Sequence, residues 1–411
     1  MLLQVTTLDT GSTGFMLLAC SLVMLMTPGL AFFYGGLATK RNILGIMIQS
    51  FASLAWTTVL WIAFGYSLCF SGGEGGIFGN FDKFFLNGVA IDSMYSNGKI
   101  PEVVFIAYQM MFAIITPALI TGAFANRVTF KSYMIFLTVW QIFVYYPFVH
   151  MIWGGGLLAQ WGVLDFAGGI VVHATAGFAA LASVFYVGAR VEKNSTPNSI
   201  PLVAIGSGLL WFGWYGFNAG SEVSVDFITS TAFLNTDIAA SFATMSWVVI
   251  EWSRERKPKF VGLLTGSIAG LATITPCAGF VPLWASPIIG IIAGIVCYGA
   301  VMFKNKMKWD DALDVWGVHG VGGVIGTILL GVFGSAAINP AGADGILFGN
   351  ASFFMKELVA VVAASAYAFV FTYLMLALIN LITPVRVSEE EERLGLDVSI
   401  HGEQAYDEGA L

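Results

Sequence analysis

Hydrophobic residues in this chain fall into long, nearly unbroken runs, without the alternation or one-sided striping that marks strands and surface helices. Eleven such runs, at about 13–38, 43–71, 101–125, 132–152, 166–189, 201–219, 227–251, 261–278, 283–303, 315–336 and 352–383, are each about the length that crosses a bilayer as a helix. In lipid a spanning segment must satisfy its own backbone, which a helix does. The pattern therefore predicts an all-α membrane protein with eleven transmembrane helices.

The polar gaps give the runs a direction. Lys and Arg gather in alternate gaps: Lys40 and Arg41; Arg127 and Lys131; Arg190 and Lys193; Arg254, Arg256, Lys257 and Lys259; Lys304, Lys306 and Lys308. The intervening gaps hold only Lys83 and Lys99, and Lys356 sits near the start of the last run. The basic side is expected in the cytoplasm, which puts the N-terminus outside and, after eleven crossings, the C-terminus inside. No basic residue precedes the first run, and that run is longer than a signal-peptide core, so a cleaved signal is not the first reading, and a partly processed N-terminus stays open.

The run structure also repeats. Ile115-Thr116-Pro117 of the third run recurs as Ile274-Thr275-Pro276 of the eighth, and Asp165-FAGGIVV-His173 of the fifth is matched by Asp311-ALDVWGV-His319 of the tenth. Both offsets are five runs. Five is odd, so the second copy crosses in the opposite sense, which predicts two inverted five-helix repeats followed by one C-terminal helix. Eight helical residues advance about 12 Å, close to half of a roughly 30 Å hydrocarbon core. His173 and His319 are thereby expected to meet near the midplane from opposite faces.

Composition adds weight to that pair. Only 10% of residues are charged against 57% hydrophobic, and the chain has four histidines, so two of the four lie in the repeated pattern. An ionisable group inside a membrane helix is costly and by default marks a functional path. Two facing neutral imidazoles bond each other and still offer a donor or acceptor to a small solute. The plain alternative, histidines that pack helices and bond backbone or hydroxyls, fits a single histidine better than a symmetric pair. No third ligand stands at helical spacing from either ring, which argues against a metal site. Asp165, at a helix start, reads equally as a cap or as a cation contact, whereas Asp310, Asp311 and Asp314 beside Lys304, Lys306 and Lys308 read as capping or salt-bridging groups. Forty-eight glycines suit close helix packing in lipid. Cys20, Cys69, Cys277 and Cys297 are scattered singly and read as small hydrophobes. No nucleophile or polar loop cluster accompanies the histidines, so neither an enzyme nor a cofactor is expected, and no nucleic-acid partner.

Past residue 385 the chain changes character, dividing it into a transmembrane unit, 1–385, and an acidic cytoplasmic tail, 386–411. Glu389, Glu390, Glu391, Glu392, Asp397, Glu403, Asp407 and Glu408 face Arg386 and Arg393, which leaves the membrane body nearly neutral within a net charge of −7. Composition alone favours a solvated tail. The varied stretch 394–406 leaves a docked or partner-binding segment open.

TPGLAFFYGG (27–36), HMIWGGGLL (150–158), DFAGGIVVH (165–173), GWYGFNAGS (213–221), DVWGVHG (314–320) and GLDVSIHGEQAY (395–406), in this order along the whole chain, resemble the ammonium transporter (Amt) branch of the Amt/Rh family. The resemblance implies a homotrimer with a pore in each subunit at the cell membrane, taking ammonium and conducting ammonia, with or without a separate proton. It implies an outer recruitment site at Trp153, Ser221 and Phe112, held in shape by Asp165; a gate of stacked rings at Phe112 and Phe217; and a pore lined by His173, His319 and Trp214. It also implies a PII-type regulatory protein as a partner at the cytoplasmic face and tail. Read singly, Trp153 is as well an interfacial belt residue, and Phe112 and Phe217 are core packing. An ammonium sensor and an Rh-like gas or small-solute channel are the rival functions. Glu222, beside Ser221, departs from the pattern as an extra charge at the outer mouth.

Overall fold

The computed structural model describes residues 8–192 and 196–406. The first seven residues, Lys193 of the basic loops, and Asp407 and Glu408 of the tail lie outside the described residues.

The described residues are mainly helical: α1 Thr10–Leu37, α2 Ile43–Phe70, α3 Glu102–Ile120, α4 Phe130–Trp161, α5 Gly169–Val187, α6 Ile200–Glu222, α7 Phe227–Glu255, α8 Phe260–Ile274, α9 Ala285–Lys306, α10 Trp316–Phe333 and α11 Ala351–Ile382. Ten of these are long and apolar enough to cross a membrane, and α8, with 15 residues, is shorter. Among the described residues, extended pairing is limited to two isolated bridges, Met94 with Pro101 and Val128 with Arg386. The runs in the sequence and the helices agree in order and differ at several ends: α3 stops at Ile120, five residues before the expected end, and α4 reaches Trp161, nine residues past it. α8 ends at Ile274, four residues earlier than expected, because Pro276 has no N–H to continue the ladder and the chain turns there instead. α5 begins three residues late, since residues 163–168 run without helix and its first turn is then wound wide.

That widening is shared. Residues Gly169–Ala174 and Trp316–Gly320 are π-helical, and each holds one of the paired histidines. His173 N–H reaches back five residues to Gly168 O at 2.9 Å. Single π-turns are uncommon and cluster at functional sites. Both turns start on a carboxylate. Asp165 accepts from the N–H groups of Gly168 and Gly169 at 2.7 Å, Ile170 at 2.8 Å and Val171 at 3.1 Å. Asp311 accepts from Val315 at 3.1 Å and Trp316 at 2.8 Å. These are the free donors at a helix start, so both acids act as caps.

The two helices cross where side chains vanish. A Cβ on Gly177, four residues after His173, would stand 2.1 Å from Gly320 Cα, and one on Gly323, four residues after His319, would stand 2.5 Å from Gly169 O. Glycine at these two positions is what lets the backbones touch.

α3 and α5 are sheathed on nearly every side, while α7 and α11 turn large apolar side chains outward, among them Phe242, Met245, Val249, Leu374 and Leu378. Water would penalise such a surface, and acyl chains do not. α1 packs along α6, and α7 against α8 and α9.

The basic loops collect at one end. Arg190 donates to Asp310 at 2.6 Å, and buried Arg127 donates to Gly188 O at 2.5 Å, to Asp310 O at 2.9 Å and to Ala123 O. Burial alone would push the Asp310 carboxyl up. The Arg190 hydrogen bonds and the charges of Arg127 and Arg190 outweigh it and hold the group down at about 2. Lys99 and Asp226, 3.7 Å apart, lie at the opposite end.

The tail packs onto the basic end, where composition favoured a solvated segment. Val387 N–H donates to Arg127 O at 2.9 Å, and Arg386 meets Glu392 at 2.9 Å. Two short helices follow, α12 Glu389–Leu394 and α13 Leu396–Ser399. Asp397 is buried and accepts from Ile43 N–H at 3.0 Å and Gly45 N–H at 2.8 Å, capping α2 from the far end of the sequence. Burial raises its carboxyl, and the α2 N–H groups oppose the rise. The acids divide their labour: Glu392 and Asp397 turn inward onto donors while Glu389 and Glu390 face out, a distinction invisible in a charge count.

Candidate functional site

Three cavities lie in series through the bundle. The first, of about 280 Å³, opens at the end that carries Lys99 and is lined by Gln109, Trp153, Asp165, Ser221 and Glu222 among others. The second is a slot of about 10 Å³ lined by His173, His319, Trp214, Phe217 and aliphatic side chains such as Val172 and Ile268. The third, of about 140 Å³, is lined by Tyr34, Asp314, Val318 and again His319. The slot holds roughly one water-sized body. His319 belongs to both the slot and the third cavity.

The residues singled out by sequence form one continuous column of rings. Trp153, half-buried at the first cavity, stands edge-on to Phe112 with centroids 5.8 Å apart. Phe112 stacks on Phe217 at 4.1 Å, and Phe217 lines the slot. Phe217 lies 6.1 Å from His173, and His173 stacks on Trp214 at 5.5 Å and on His319 at 5.3 Å. The imidazoles point Nδ1 at Nδ1 across 3.3 Å.

Local bonds fix each member. Trp153 Nε1–H donates to Asp165 O at 2.7 Å, so the loop whose carboxylate caps α5 also holds the indole. Ser221 donates its hydroxyl proton to Phe217 O at 2.9 Å, which leaves its oxygen lone pairs for a donor in the cavity. Trp214 Nε1–H donates to Thr275 Oγ1 at 2.9 Å. His173 Nε2 has no hydrogen-bond partner among the described residues, and buried polar atoms in that state are rare.

Three residues were missed from sequence. Thr275 anchors Trp214, and it belongs to the repeated Ile-Thr-Pro, where Thr116 and Thr275 each bond the carbonyl four residues back at 2.7 Å. The repetition carried that signal. Tyr108, four residues before Phe112 and on its face, bonds the carbonyls of Gly216 and Phe217 and approaches Ser221 at 3.3 Å. Glu357 is fully buried in α11 and accepts from Leu164 N–H at 2.7 Å, bracing the loop that carries Asp165, and no local pattern points to it.

Electrostatically the two ends differ from the middle. Carboxylates reach the first and third cavities, through Asp165, Glu222 and Asp314, and none of the described acids lines the slot. No group of three or more His, Cys, Asp or Glu able to hold a metal is found among the described residues.

The sequence profile described as the Ammonium Transporter Family matches residues 14–406. An ammonium transporter of Bacillus subtilis is 44% identical over 398 residues, covering 96% of this chain and 98% of the relative. Ammonium transporter Amt1 of Archaeoglobus fulgidus is 43% identical, covering 96% and 99%. Among solved structures, Saccharomyces cerevisiae Mep2 superposes with a TM-score of 0.90 at 34% identity over 98% of this chain and 93% of its own. A structure described as a sensor Amt protein superposes at 0.86 with 27% identity over 95% and 98%.

Proposed function

Since the chain belongs to the ammonium transporter family and is a multi-pass protein of the cell membrane, we propose that it captures ammonium at the first cavity, strips one proton, and passes ammonia through the histidine slot. The observation that carries this reading is the slot itself. It is narrow and walled by rings and aliphatic side chains, with no acidic group. A bare cation there loses its hydration with no countercharge to replace it, at a cost of many kcal/mol. Ammonia carries no such penalty and finds ring nitrogens to bond.

The roles follow the column. Trp153 presents a π face and Ser221 an acceptor oxygen to the cation, with Phe112 beside them and Asp165 holding the indole's support. Phe112 and Phe217 gate the way down. His173 and His319 line conduction, with Trp214 packed beside His173 and Phe217. For a proton to move between the rings, one Nδ1 must donate and the other accept, and the unpartnered His173 Nε2 offers a further position. We read the topology as eleven spans, α8 included, with the first cavity outside, the tail in the cytoplasm, and two inverted five-helix repeats ahead of α11. The split into a membrane unit, 1–385, and a tail, 386–411, the homotrimer, and a PII-type partner at the tail-bearing face complete the reading. The similarity to a sensor Amt protein favours a second reading in which the same site also reports ammonium. Deletion of the tail that leaves uptake intact while abolishing growth control supports that reading.

Reconstitution tests the proposal. Liposomes carrying the full chain should take up ammonium saturably. A saturable current at graded ammonium and pH means the proton follows, and uptake without current means it does not. No uptake above empty liposomes overturns the proposal, and water permeation exceeding ammonium uptake transfers the chain to the channel alternative.

A further inference from the structure

The wall of the first cavity holds two polar side chains that the column of rings does not use. Gln109 lies on α3, three residues before Phe112, and is 8% exposed. Its amide oxygen Oε1 is buried and has no hydrogen-bond partner among the described residues. A buried amide left unpartnered costs stability, about 1–3 kcal/mol by the usual range for a lost partner. Half a turn of its last torsion presents either end to the cavity. Glu222 follows Ser221 directly and lines the same cavity. It makes no ion pair or hydrogen bond among the described residues, although the Lys99 and Asp226 pair lies close by.

Counting donors and acceptors shows what these two groups can do. Ammonium carries four N–H donors. The column offers one acceptor at the Ser221 oxygen and one π face at Trp153, which leaves two donors for other groups on the wall of the cavity. The Gln109 amide oxygen and a Glu222 carboxylate oxygen supply two more acceptors, and among the described residues Glu222 is the acid of this wall without a hydrogen-bond or ion-pair partner.

We propose that Glu222 and Gln109 form a cation subsite on the wall of the first cavity, which takes a small N–H-bearing monovalent cation and hands it to Trp153 and Ser221. The inference rests on the proposed capture at this cavity and adds to it a charge that sets affinity and an amide that selects by hydrogen-bond count. Glu222 acts on any cation, through its field. Gln109 acts on cations with enough donors, so ammonium, with four, gains more from it than methylammonium, with three.

The test measures uptake by the full chain in liposomes at pH 8, where an ordinary carboxylate is charged. Ammonium and methylammonium are each titrated at about 10 mM and about 200 mM ionic strength, where screening lengths are about 30 Å and about 7 Å. Glu222→Gln should raise the half-saturation for both substrates about three- to tenfold at low ionic strength and by a smaller factor at high, with the maximal rate changing less than the half-saturation. Glu222→Asp, which keeps the charge, should return the half-saturation to within about twofold of native. Gln109→Leu should raise the half-saturation for ammonium more than for methylammonium, at both ionic strengths. Gln109→Glu keeps an acceptor oxygen at the same reach and guards against misfolding of the leucine variant; it should hold the ammonium half-saturation at or below native. Native half-saturations in both Glu222→Gln and Gln109→Leu overturn the subsite while native uptake persists. Absence of uptake by the native chain overturns the transport reading instead, so the two failures are told apart.

Discussion

His173 Nδ1 faces His319 Nδ1 at 3.3 Å, with the rings 18° from parallel. Two identical atoms at that separation form a hydrogen bond only when one carries the proton, so the rings are held in opposite tautomers. Replacing either ring ends that complementarity and opens the slot. His173→Ala and His319→Ala should each lower ammonium uptake at least about tenfold, with loss of a hydrogen bond worth about 1 kcal/mol. Uptake assays beside thermal melting check this, and native uptake in both variants contradicts the assigned role.

The crossing of α5 and α10 sets the distance between the rings. A methyl on Gly177 would overlap backbone at Gly320, which cannot swing aside as a side chain can. Gly177→Ala should destabilise the protein by about 1–3 kcal/mol, the range for overpacking. It should also lower maximal uptake more than it shifts half-saturation. A variant with native melting and native rate would show that the crossing does not position the histidines.

Recruitment and gating should separate kinetically. A cation–π contact at a partly desolvated site is worth about 0.5–2 kcal/mol, so Trp153→Leu should raise the ammonium half-saturation about two- to thirtyfold. Phe217→Leu leaves the first cavity's acceptors in place and should act on maximal rate instead. Full titration of both variants in liposomes decides whether the two effects divide in this way.

Much of this was legible in the sequence because lipid imposes simple rules. Unbroken apolar runs give helices, and the spacing from Asp165 to His173 and from Asp311 to His319 brings two rings to one place. Three features were not legible. The shortened α8 follows from Pro276, whose counterpart Pro117 sits inside α3 without ending it, so the same tripeptide stops one helix and not the other. Gln109 and Glu357 act through partners, or the lack of them, that are distant in the chain. The docked tail depends on which acids meet donors, and Asp397 finds its donors on α2, 354 and 352 residues away.

That tail contact is itself testable. Asp397→Ala strips the cap from α2, and loss of such a cap costs about 0.5–2 kcal/mol. The segment 386–406 should become sensitive to limited proteolysis in the solubilised protein while the membrane helices stay resistant. Unchanged protection would mean that Arg386 with Glu392 and the Val387 backbone bond hold the tail without Asp397.

Acid should loosen the same end of the molecule. The Asp310 carboxyl sits at about 2 when folded, below its ordinary 3.8, so the unfolded chain binds that proton first. Its contribution to stability is whole above about pH 4 and is lost as pH falls towards 2. Asp310→Asn should therefore melt about 2–4 °C below native at pH 6, and the gap should close near pH 2. A gap independent of pH would assign the Arg190 contact to shape alone.

The widened turns at His173 and His319 make the lining of this protein sensitive to length as well as to residue type. A π-turn holds one residue more than an α-turn and so absorbs that residue without turning the helix beyond it. Loss of one residue from either turn would relax the backbone to ordinary winding and leave the rest of the helix facing as before, while the residues of the turn itself, the histidine among them, would be re-aimed. Substitutions at these turns grade function up or down, whereas a one-residue deletion would move the ring and spare the packing beyond it. Chain length through these two turns is thus as much a part of the site as the rings they carry.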